Sequence, residues 1–98
     1  MKRDDALAQL NDRAAALRAM GATSLYVFGS TVRNEASESS DLDLFIDYDG
    51  ESKFSLLDLV DIKLFLENEL SVPVDVTTRD SLHPLLRESI QQDAVRIF

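Results

Sequence analysis

Gly29-Ser30-Thr31-Val32-Arg33-Asn34-Glu35-Ala36-Ser37-Glu38-Ser39-Ser40-Asp41-Leu42-Asp43 is the stretch on which the reading of this chain turns. Before it, Leu25-Tyr26-Val27-Phe28 is a short apolar run of β type, closed by Gly29-Ser30. After it, residues 41–47 alternate strictly, with Asp41, Asp43, Phe45 and Asp47 on one face and Leu42, Leu44 and Ile46 on the other. That alternation predicts a strand anchored by its leucines and loaded with carboxylates on its opposite face. On such a strand the Cα atoms of Asp41 and Asp43 lie about 6.5–7 Å apart, from a rise of about 3.3 Å per residue. Two like charges this close repel unless a cation sits between them. A divalent metal held by both carboxylates accounts for the pair better than bare solvent does.

The Gly-Ser supplies the complementary half. Gly29 lets a backbone come close to a ligand. Ser30 offers a hydroxyl and an N–H at the start of a helical turn, where phosphate oxygens are stabilised. Arg33, one turn later, could reach the same anion. Metal-holding carboxylates beside a phosphate cradle are what nucleotidyl transfer requires. A third carboxylate is expected from another strand. Asp75, the one acidic residue in the run Val72-Pro73-Val74-Asp75-Val76-Thr77, is the candidate, as a further metal ligand and as the base for the acceptor hydroxyl.

Outward from this stretch the pattern alternates helix and strand. Leu7, Leu10, Ala14 and Leu17 predict one helix over residues 5–20, with Gly21 as its C-cap. Tyr48-Asp49-Gly50 reads as a turn. Ser55 can cap a long helix to about Leu70, whose apolar positions exceed one narrow stripe; such a helix either sits deep in the fold or keeps a spare face for a partner. Pro73 opens a strand over residues 74–77. Ser81 is expected to cap a last helix with Pro84 in its first turn, and residues 95–98 to add an edge strand. The fold class is therefore α/β (α+β): a small mixed sheet of three to four strands with helices packed on one face, in one domain over residues 1–98.

Composition bounds the function. The chain has 98 residues and a formal net charge of −8. An acidic surface repels phosphate polyanions, so no direct nucleic-acid partner is expected. There is no Cys and one His, which excludes a disulfide scaffold, a Cys-ligated zinc site and a thiol nucleophile. No apolar run reaches the roughly 18 residues of a membrane span, and no signal peptide is legible, so a cytoplasmic protein is expected.

The spacing Gly-Ser, ten residues, Asp-x-Asp, followed by the later strand Asp75, resembles the signature of the DNA polymerase β-type nucleotidyltransferase superfamily. At this length the chain is similar to the minimal nucleotidyltransferases (MNT), the antitoxins paired with HEPN-domain toxins. The resemblance covers residues 25–78. It implies Asp41, Asp43 and Asp75 as catalytic metal ligands for Mg²⁺, and Gly29, Ser30 and Arg33 as nucleotide-binding residues. The implied reaction is transfer of AMP from ATP to a hydroxyl, a tyrosine of the HEPN RNase toxin, silencing it in a hetero-oligomeric complex. One departure is Asn34, where the family often has Gly; Asn tolerates the left-handed conformation such a turn needs.

The alternative is an antitoxin that neutralises its partner by docking alone, for which the helix over residues 55–70 provides the surface. A small-molecule nucleotidyltransferase, such as one acting on an aminoglycoside, usually carries an acceptor domain for which 98 residues leave no room. His83 is read as a surface residue at a helix start, and Asp47 as solvent-exposed. Arg79 could serve phosphates or pair with Asp80 or another acidic neighbour. Asp58 and Asp61 are read as the solvated side of the long helix.

Overall fold

The computed structural model describes residues 2–33 and 41–98. Asn34 and the polar stretch that follows it lie outside the described residues. Four strands, β1 (Ala22–Phe28), β2 (Leu42–Tyr48), β3 (Val74–Thr78) and β4 (Val95–Arg96), form a mixed sheet in the order β3-β2-β1-β4. β1 runs antiparallel to both β2 and β4, and β2 runs parallel to β3. A parallel neighbour needs a crossover, supplied by helix α3 (Leu56–Leu70).

The alternation seen in the sequence sorts the two faces of the sheet. Leu25 and Val27 of β1, Leu42, Leu44 and Ile46 of β2, and Val74 and Val76 of β3 point to one side and are buried. Against them pack Ile62, Leu66 and Leu70 of α3, with Ala6 and Leu10 of α1 (Arg3–Asp12) and Leu17 of α2 (Ala14–Ala19). Burying each large aliphatic side chain contributes roughly 1.5–3 kcal/mol, so this face carries most of the stability. The carboxylates project from the other face.

Three expectations are corrected here. The single helix over residues 5–20 is two helices, interrupted at Arg13 (φ −105°, ψ 10°). Asn11 and Asp12 are poor helix residues just before the break, and the Arg13 side chain folds back to donate to the Gln9 carbonyl at 2.8 Å, with Glu69 of α3 3.5 Å away. The last helix begins later than Ser81: residues 79–81 form a short 3-10 turn, and α4 spans Arg87–Asp93. The cause is Pro84, which disfavours helical backbone at His83 and instead leads a turn closed by Leu86 N–H donating to the His83 carbonyl at 2.9 Å. Finally, only α1 to α3 share the core face. α4 is tied to the opposite side of the sheet through Gln91, whose Oε1 accepts from Arg79 at 3.1 Å.

The turns follow their sequence signals. Gly21 (φ 111°) closes α2, and a Cβ there would sit 2.7 Å from the Phe54 ring. Asp49 accepts a bond from the Glu51 N–H at 2.9 Å, the Asx turn that ends β2. Ser55 caps α3 as expected. Asp58 is more than a solvated residue, because its carboxylate takes the Ser55 N–H at 2.8 Å and completes a capping box.

Candidate active site

β1 ends at Phe28, and the chain turns sharply at Gly29-Ser30-Thr31 in a 3-10 turn. Gly29 has φ +77°, a conformation that L residues with a Cβ rarely adopt. A second constraint acts on the same atom: a Cβ on Gly29 would lie 2.5 Å from Asp43 Oδ2. The close approach expected of Gly29 toward a ligand is thus, within the chain itself, an approach to the Asp43 carboxylate. The Gly29 carbonyl accepts the Arg33 N–H at 3.4 Å, which brings Arg33 back over the turn.

Register does the rest. Asp43 is the cross-strand partner of Phe28 in β1 and of Asp75 in β3. Because Val74 and Val76 are buried on the core side, Asp75 is exposed on the other, beside Asp43. Asp41 differs slightly from expectation. The strand begins at Leu42, whose N–H donates to the Pro73 carbonyl at 2.9 Å, and Asp41 stands exposed at its threshold, outside the strand.

Three carboxylates and one guanidinium act on a common region. Burial raises the Asp43 carboxyl above the ordinary carboxylate range; Asp75 and then Asp41 add to the rise, while Arg33 opposes it. Crowded acidic groups of this kind call for a cation. All three donors are hard oxygens, the chemistry that Mg²⁺ prefers. Among the described residues no three of them close into a ready-made metal cage. Mg²⁺ does not require one, because it commonly takes one or two carboxylates and completes its shell with water and substrate phosphates. The residues present therefore fit a divalent metal brought in with a triphosphate.

The same face is closed further along β2. Phe45, expected on the loaded face, lies there but is 0% exposed. It stacks on Tyr26 at 4.7 Å and packs against Phe28 at 5.8 Å, with the Arg79 guanidinium 5.0 Å from its centroid. Beyond this aromatic wall, Asp47 is not the solvated residue expected. Arg79 donates to both of its oxygens, at 2.8 and 2.9 Å, and that bidentate bond holds the Asp47 carboxyl below the usual carboxylate range. Arg79 thus pairs with Asp47 rather than Asp80, and its charge is committed away from the Asp43 end. The readable signal was Asp47 on the face of Asp43, with an Arg directly after the adjacent strand. His83 is exposed, its Nδ1 accepting the Leu85 N–H at 3.2 Å.

Comparison with known proteins agrees with this geometry. A family model described as a nucleotidyltransferase domain matches residues 8–97. A protein of Methanocaldococcus jannaschii described as a protein adenylyltransferase is 49% identical over 72 residues, covering 74% of this chain and 75% of its own. The protein adenylyltransferase MntA of Thermococcus cleftensis is 34% identical over 77 residues, covering 79% of this chain and 76% of its own. A solved structure described as a minimal nucleotidyltransferase superposes with a TM-score of 0.82 at 36% identity, over 97% of this chain and 95% of that one. At 18% identity, the fold is also shared with a complex of a tri-AMPylated Shewanella oneidensis HEPN toxin and MNT antitoxin (TM-score 0.65, over 92% of this chain and 71% of that one).

Proposed function

Since the chain belongs to the nucleotidyltransferase domain family, as a minimal member of protein-adenylyltransferase type, we propose that it transfers AMP from ATP to a tyrosine hydroxyl of a HEPN RNase toxin and so acts as its antitoxin. The observation that carries this reading is the cross-strand placement of Asp43 and Asp75 beside the Gly29 turn.

In this reading Asp41, Asp43 and Asp75 hold Mg²⁺. When bound, the metal neutralises triphosphate charge and makes the α-phosphorus more electrophilic. The Ser30 hydroxyl and the backbone N–H groups of the Gly29 turn bind phosphate oxygens, and Arg33 adds a positive charge on the same side. Asp75, the most exposed strand carboxylate, takes the proton of the acceptor hydroxyl. The hydroxyl oxygen bonds to the α-phosphorus as the bond to the bridging oxygen breaks, and pyrophosphate leaves with the electron pair. The acceptor keeps one AMP.

A second reading, neutralisation by docking alone, draws on a separate observation. Leu56, Leu57, Val60 and Leu64 stay exposed on the outer face of α3, on the far side of the sheet from the carboxylates. A partner held there would leave the Asp43 face open. Both readings are separated by incubating the partner with ATP labelled in the α-phosphate and Mg²⁺. Labelling that disappears with chelator, returns with Mg²⁺ and is absent for Asp43→Asn supports the transferase. Silencing of the partner with no label, by both forms, supports docking.

A further inference from the structure

Asp75 sits directly opposite Asp43, so the two strands repel each other where they carry the chemistry. Among the described residues β3 is the edge of the sheet, with no strand paired on its outer side. Two side chains of α3 act on that outer side. Since Leu42 N–H bonds to the Pro73 carbonyl, the backbone groups of Val74 point away from β2. Glu67 Oε2 accepts the Val74 N–H at 3.0 Å, and Lys63 Nζ donates to the Val74 carbonyl at 2.7 Å. Lys63 and Glu67 are themselves bonded at 3.0 Å, as an i, i+4 pair. The three bonds close a ring between one turn of α3 and the residue that immediately precedes Asp75.

We propose that Lys63 and Glu67 are positioning residues, which hold β3 at Val74 so that Asp75 stays opposite Asp43 despite the repulsion between them. The pair also occupies the first outward-facing backbone groups of an open sheet edge, where another strand would otherwise add. The proposal rests on the metal-holding role given above to Asp43 and Asp75. A ring of this kind acts as an outer support does around a metal site, where loss of a supporting bond typically lowers affinity 10–100-fold.

The test uses the full chain and Mn²⁺ as the probe, read by calorimetry, with amide hydrogen exchange of the β3 residues alongside. Glu67→Leu removes both bonds made by Glu67. It is expected to lower Mn²⁺ affinity about tenfold and to speed exchange at Val74 and Asp75. Glu67→Gln keeps an oxygen for the Val74 N–H and is expected to restore most of the affinity. Lys63→Met, which leaves Glu67 in place, is expected to fall between them. Glu69→Gln, with the same change of charge two residues further along α3, is the control and should match the parent. Equal Mn²⁺ affinity in Glu67→Leu, Lys63→Met and the parent would overturn the positioning role. A parent chain that binds no Mn²⁺ would overturn the metal reading itself, and this inference with it. If Glu67→Leu does not fold, the comparison of Lys63→Met with Glu69→Gln decides.

Discussion

Asp43 crowds Gly29: its Oδ2 lies 2.5 Å from the position a Cβ on Gly29 would take. The glycine that follows β1 is thus fixed by its φ of +77° and by the acidic residue across the ladder. Gly29→Ala should cost about 1–2 kcal/mol of stability from the left-handed backbone alone. It should also displace Asp43, so transfer is expected to fall much further than the loss of folded protein explains. Denaturant melts and transfer rates measured on the same preparation check this; a variant with full activity would contradict it.

The Arg79–Asp47 bond makes stability depend on acid. Asp47 has its carboxyl pKa lowered in the folded state, chiefly by the hydrogen bond from Arg79. A depressed carboxyl contributes stability at pH values above its unfolded pKa of about 3.9, and that contribution is lost as the pH falls through the lower folded value. Asp47→Asn is therefore expected to cost about 1 kcal/mol near neutral pH. The difference between the variant and the parent should shrink steadily below about pH 4. Urea midpoints across that range give the measurement, and a difference independent of pH would count against the pairing.

On α3, Leu57 and Leu64 are 75% and 56% exposed and do not serve the core. Leu57→Glu with Leu64→Glu should change stability by no more than about 0.5 kcal/mol per site. If this face docks the proposed partner, the doubly changed chain should no longer co-purify with it while remaining folded. Retention of the complex would move the docking surface elsewhere.

Ser55 and Asp58 offer a test confined to folding. Removing the cap with Ser55→Ala should cost about 1 kcal/mol, and Mn²⁺ affinity should be unchanged. A large change in Mn²⁺ affinity would mean that the start of α3 is coupled to the carboxylates.

Much of this was legible because period and punctuation agreed. The alternation of Leu42, Leu44 and Ile46 against Asp43 and Asp47 set the strand, its buried face and its loaded face together. Ser55 set the start of α3 through its capping box. The strand containing Asp75 was visible, but its register against Asp43 was not, since pairing between strands distant in the chain is a tertiary property. The same holds for the burial of Phe45, which alternation placed on the polar face and which Tyr26, Phe28 and Arg79 help to cover. The break at Arg13 was hidden by alanines that suit a helix on either side, although Asn11 and Asp12 just before it are poor helix residues. The delayed start of α4 was legible in principle: His83 precedes a proline and is therefore unsuited to a helix interior. The part played by Lys63 and Glu67 was not legible, because their partner is the backbone of Val74, brought beside them only by the fold.

The most direct test is the intact mass of the proposed HEPN partner, co-expressed either with this chain or with its Asp41→Ala/Asp43→Ala variant. The expected result is a gain of whole AMP units with the parent chain and none with the variant. A partner that is unmodified in both cases, yet still bound and silenced, would contradict catalysis as the means of neutralisation.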